Sequence, residues 1–134
     1  MALHTHVVAM GEHLTAHFGG EYFTIGTEYY RNTLIARKDI GYDPAAASAV
    51  NDFSDLIRAF INSDMEIGVL DVHRHIESGG EIGRLLTLHQ RMGSIGAIFD
   101  PALPPMRFTE NIVPASSYDV IIFVRNATPA AFIE

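Results

Sequence analysis

Cysteine is absent from this sequence. Without thiols there is no disulfide, no thiolate nucleophile and no zinc–thiolate site. Basic residues are scarce too: 9 Lys+Arg face 16 Asp+Glu, a formal net charge of −7. A phosphate-backbone partner requires a basic patch, so no nucleic-acid partner is expected. Long apolar runs are also missing. The longest β-rich one, Val120 to Val124, is bounded by Asp119 and Arg125, far short of the roughly 20 residues that span a bilayer. The start, Met1-Ala2-Leu3-His4-Thr5-His6, has no cationic segment followed by an apolar stretch, so no secretory signal is visible. A cytoplasmic protein without a membrane partner is the expectation.

What is present suits one domain, residues 1–134. The 134 residues are 48% apolar and 19% charged, enough to bury a core and too apolar for wholesale disorder. Four β-rich runs are predicted: Tyr22 to Thr27, Ile67 to Val72, Ile95 to Phe99 and Tyr118 to Val124. The last does not alternate with polar residues, the pattern of a strand covered on both faces. Helices are predicted between them. From Asp52 to Ser63, Phe53, Leu56, Ile57, Phe60 and Ile61 form one apolar stripe, with Asn51 or Asp52 as the cap. A second helix spans Val8 to Phe18, with Val7, Met10, Leu14 and Phe18 on one side and Gly19 as its stop. A third covers Glu81 to Gln90. Gly41 to Ser48 reads as a loop leading into a helix, and Pro101 to Ser117, with its four prolines, as a long surface connection. Alternating strand and helix predict an α/β architecture, a three-layer sheet flanked by helices.

Histidine is the most unusual component, at 7 residues. His4 and His6 form one H-x-H pair, His73 and His75 another after a predicted strand, and His13 and His17 are four apart on the first helix. Neutral imidazole ligates Zn, Fe or Ni, so an H-x-H pair at a strand end is a candidate metal dyad. The alternative is ordinary solvated histidine; Glu12-His13 with His17 does not make the H-E-x-x-H pattern. Met92-Gly93-Ser94-Ile95-Gly96 superficially resembles the G-x-S-x-G nucleophile elbow, but Met92 occupies the place of its first glycine. Gly79-Gly80-Glu81-Ile82-Gly83 precedes a helix without the Lys-Ser/Thr of a P-loop. Arg74, Arg91 and Arg107 could clamp an anion or form surface ion pairs.

Five segments, taken in order, resemble the C-terminal part of the erythromycin esterase-like family. Ala2-Leu3-His4-Thr5-His6-Val7, followed by Met10-Gly11-Glu12-His13-Leu14, is similar to the family's A-H-N-x-H-V and M-G-x-x-L stretches. Phe18 to Thr27 resembles its G-D-x-Y-x-x-I-G-T strand, and Gly68-Val69-Leu70-Asp71-Val72 its F-x-L-D-L strand. Arg91 to Pro101 is similar to R-x-I-G-x-x-Y-D-P, and Tyr118-Asp119-Val120-Ile121-Ile122-Phe123 to the closing Y-D-A-L-I-F strand. The resemblance implies roughly the last third of a full-length member.

It further implies a hydrolase, without cofactor or metal, that attacks an ester or lactone with water; the named members open the macrolide ring of erythromycin, an antibiotic-resistance activity. The implied site joins His and Glu groups from the upstream part with the two histidines of A-H-N-x-H-V. His6 matches the second of these, Leu3 stands where the first belongs, and His4 is one place out of register. On an extended backbone His4 therefore points to the opposite face. Imidazole suits a water-activating base because its pKa lies near working pH, but a partner must orient it and stabilise the oxyanion. His6 and His4 are thus the candidate catalytic residues, in a chain expected to be inactive alone. The contrasting expectation is a non-enzymatic module that exposes a strand edge and an apolar patch and associates through them, with an N-terminal half or with itself. A third is a metal hydrolase built on the H-x-H pairs.

Overall fold

Val120-Ile121-Ile122-Phe123-Val124 is the run around which the fold is built. In the computed structural model, which describes residues 10–96 and 98–130, it opens strand β6 (Val120–Ala127). Strand β1 (Ile25–Ala36) lies parallel on one side of β6, and β3 (Ile67–Asp71) antiparallel on the other. Strand β2 (Ala45–Val50) pairs antiparallel with the far half of β1, so the four strands run in the order β2-β1-β6-β3.

Register decides which side chains share a face. Ile121 lies between Gly26 and Leu70, and Phe123 between Glu28 and Gly68. On this face Ile121 and Phe123 are buried against helices α2 (Asp55–Asn62), α3 (Val72–Ser78) and α4 (Gly80–Leu86), which contribute Leu56, Ile57, Phe60, Val72, Leu85 and Leu86. Each such side chain stabilises by roughly 1.5–3 kcal/mol when fully buried. Phe60 stacks on Phe123 with centroids 5.0 Å apart. The opposite face offers Ile25, Val69 and Ile67, which remain 56%, 69% and 65% exposed. Of the three-layer arrangement expected, the described residues form the sheet and one helical layer, and the α/β class holds.

The expected apolar stripe on α2 is present, but its cap is neither Asn51 nor Asp52. Ser54 has extended backbone and its Oγ accepts from the N–H of Ile57 at 3.1 Å. Helix α1 (Met10–Phe18) ends as expected at Gly19, whose φ is +54°, the left-handed stop that glycine adopts without strain. Val7 and Val8, part of the predicted first helix, lie outside the described residues, and α1 itself buries no residue.

Three expectations are corrected. The alanine-rich stretch is not the start of a helix: Ala45–Val50 is β2, because Leu34 and Ala36 of β1 pair with Ala47 and Ala45 and this half of the sheet packs against Phe99. Helix propensity is a weak prior that tertiary pairing overrides. The described residues between Ile95 and Phe99 form no strand; Ile98 makes only an isolated bridge to Arg37. The strand lies earlier, as β4 (Gln90–Gly93), paired with β5 (Thr109–Ile112). The proline-rich connection therefore carries β5, together with the short helix α5 (Pro114–Ser117).

Candidate functional site

Glu28 sits on the inward-facing parity of β1, beside Phe123, where a carboxylate has no access to water. It is 2% exposed, and its neighbour Asn51 is 1% exposed. Burying a charge costs several kcal/mol unless donors replace the lost water. Here they do. Oε1 accepts from Asn51 Nδ2 at 2.8 Å and from the Tyr29 N–H at 3.0 Å, and Oε2 accepts from the Gly93 N–H at 2.8 Å. Burial nevertheless pushes the Glu28 carboxyl above its ordinary 4.5, the hydrogen bonds to Gly93, Tyr29 and Asn51 pulling the other way. Tyr29 is pushed up to about 12, by its own burial first and by Glu28 second.

Gly93 has to be glycine. A Cβ there would stand 2.8 Å from Glu28 Oε1 and 3.0 Å from the Tyr29 ring. The cluster joins β1, the end of β2 and the end of β4. Beside it lies a cavity of about 220 Å³ whose walls include Tyr29, Asn51, Phe53, Phe99, Leu103 and Phe108. Held by its donors on β1, β4 and the end of β2, Glu28 acts as a brace between two sheets. Glu28 falls one residue past the strand predicted at Tyr22 to Thr27, and only the longer observed β1, Ile25–Ala36, places it on the inward parity shared with Gly26.

A second pair stands at the end of the main sheet. Asp119, just before β6, accepts the Thr24 N–H on Oδ2 at 2.7 Å, and its Oδ1 lies 2.8 Å from His73 Nε2. Both contacts hold its carboxyl below the ordinary range, the Thr24 amide more than His73. Asp71 caps α3 by accepting the Arg74 N–H, which positions His73 on the first turn. His75 turns elsewhere, its Nδ1 2.7 Å from the backbone oxygen of Asp71. The second H-x-H pair is thus divided between two local partners, and the described residues contain no group of three or more His, Asp and Glu suited to a metal. His73 and Asp119 are separated by 46 positions, which is why the pattern of either gave no hint of the other.

His4 and His6 lie outside the described residues. Ser94 follows β4 but opens no helix, and its Oγ donates to Glu110 at 3.1 Å; it forms no nucleophile elbow. Gly79 and Gly80, with φ of +72° and +90°, make the turn into α4. Arg74, Arg91 and Arg107 fall on three separate segments, Arg91 donating to Thr109 Oγ1 at 3.3 Å.

One helical layer on a mixed sheet, with no helix among the described residues long and apolar enough to cross a membrane, is part of an α/β architecture. Its ancestry is more specific. The family model described as Erythromycin esterase matches residues 1–127, and the chain belongs to that family, which makes it a relative of hydrolases. Two crystal structures share the fold. One is of a Bacillus cereus protein, 16% identical with a TM-score of 0.70, the match covering 92% of this chain and 29% of that one. The other, described as a succinoglycan biosynthesis protein, is also 16% identical with a TM-score of 0.70, covering 90% of this chain and 28% of that one. This chain thus spans less than a third of either relative's length. No curated protein matches it.

Proposed function

We propose that this chain is the C-terminal portion of an erythromycin esterase-like hydrolase, which cleaves an ester or lactone by water and is inactive without the upstream portion. The observation that carries the reading is a family match along residues 1–127 in a chain that covers only 29% of a structural relative. In the assembled enzyme, water adds to the ester carbonyl carbon and the bond from that carbon to the alkoxy oxygen breaks. A base takes the proton from water and returns it to the leaving oxygen. His6 is the base candidate on this chain. Leu3 offers no second imidazole and His4 is one place out of the family's register, so the orienting and oxyanion-stabilising groups belong to the upstream portion. Glu28 does not supply them, being closed in by Asn51 and Gly93.

Lactone opening adds one water, which mass spectrometry detects with erythromycin as the probe. The isolated chain is expected to give no product. Joined to the upstream portion it is expected to turn over, and His6→Ala is expected to abolish this. Turnover by the isolated chain, lost in His6→Ala, would refute the reading. A second reading, a non-enzymatic module that binds a partner through its sheet, draws on the uncovered apolar face. An assembled pair that opens no ester or lactone selects it.

A further inference from the structure

The uncovered face of the main sheet is continuous across three strands. Ile67 lies opposite Val124, and Val69 opposite Ile122, which in turn lies opposite Thr27 of β1; Ile25 pairs with Val120. These are outward neighbours of the residues that make the core, and Ile25, Ile67 and Val69 are more than half exposed. At the centre of this face is the parallel pair β1–β6. An unbroken apolar run is the sequence mark of a strand covered on both faces. Val120 to Val124 carries the mark, yet among the described residues only Ile121 and Phe123 of it are buried. The sequence of β6 is therefore written for a second layer.

We infer that this face is the docking surface for the upstream portion of the family fold, which lays a second layer on β1, β6 and β3. This rests on the reading of the chain as part of an erythromycin esterase-like protein. The occupant has the right size: more than two-thirds of the Bacillus cereus relative lies outside the match. It also has more to hold than the face. Among the described residues both β2 and β3 are edge strands with one unpaired side, open to further backbone hydrogen bonds. A second copy fits less well. Three strands spaced about 4.8 Å apart and roughly 17 Å long present about 250 Å² in projection, small beside the roughly 800 Å² per partner of a stable interface. Two copies would also bring together chains that each carry a net charge of −7, and like charges oppose association.

The test is to express the chain together with the polypeptide encoded directly upstream of it, and to follow the mass of the complex and the fluorescence of an apolar dye. The chain alone is expected to bind the dye and remain monomeric. Together the two are expected to form a 1:1 complex in which the dye signal is lost. Val69→Glu, a change at an exposed position, is expected to weaken the complex about tenfold or more while leaving the circular dichroism of the free chain unchanged, because docking would bury an unpaired carboxylate. Arg58→Glu, on the exposed side of α2, is the control and is expected to have no effect. Three results would overturn the inference: an upstream sequence encoding no part of the family, no complex on co-expression, or a dimer of this chain that Val69→Glu dissociates. A complex that opens no lactone supports the docking while removing the hydrolase reading. Lactone opening by the isolated chain, with no complex formed, overturns the docking and leaves hydrolysis to be explained by this chain alone.

Discussion

Glu28 and Asp119 are two carboxylates whose surroundings push them in opposite directions, and the pH dependence of stability follows. The folded protein binds the Glu28 proton more tightly than the unfolded chain does, since burial raises this carboxyl above 4.5. Its contribution is therefore full below 4.5 and is lost as pH rises through the raised value. Asp119 is depressed below its ordinary 3.8 by the Thr24 amide and His73, so its contribution is full above 3.8 and is lost as pH falls through the lowered value. Urea unfolding across the acid range is expected to show a maximum between these two limbs. In Glu28→Gln the amide nitrogen cannot accept from Gly93. Below 4.5 this variant is expected to be less stable by about 1 kcal/mol, and the deficit narrows as pH rises because the alkaline-side limb is gone. Gly93→Ala is expected to cost about 1–3 kcal/mol, since its methyl meets the Glu28 carboxylate and the Tyr29 ring together.

Helix α2 shows what an element needs beyond its stripe. Ser54→Ala removes the acceptor of the Ile57 N–H and is expected to lower stability by about 1 kcal/mol, measured by thermal or urea unfolding. The stripe of Leu56, Ile57 and Phe60 was legible in the sequence because helical periodicity is a local property; the cap was less so, since Asn51, Asp52 and Ser54 are all competent. Asn51 is spent on Glu28, a partner 23 positions away. The same distinction explains β2. Its alanines have no strand preference of their own and become a strand only because β1 offers an edge, which no local window contains. The strand predicted at Ile95 to Phe99 errs in the other direction: Ile95 and Phe99 pack in one cluster with Phe108, and the described residues there make only an isolated backbone bridge. Of the candidate site, each of His73 and Asp119 was visible as a residue, but their pairing depends on how β3 and β6 end side by side.

Across the molecule the apolar surface is unevenly distributed. Helices shelter one side of the main sheet, while Ile25, Ile67 and Val69 stand out on the other. Left uncovered, such a patch lowers solubility by non-specific aggregation at high concentration. Val69→Lys is therefore expected to raise the solubility of the isolated chain while shifting its unfolding midpoint little, because the side chain it replaces is mostly in water already. Light scattering at rising concentration measures the first effect and calorimetry the second.

The order of the strands also sets when the protein can fold. Thr24 and Asp119, joined by a hydrogen bond where β1 and β6 begin side by side, are 95 positions apart. Strand β6 is thus made after both of its neighbours, and among the described strands β3 has none to pair with until β6 emerges. During synthesis β1 has only β2 beside it and β3 stands unpaired, a high-contact-order arrangement that folds slowly and invites chaperone binding. A nonsense mutation at Val120 would cut β3 off from β1 and β2 and take Ile121 and Phe123 from beneath the helices.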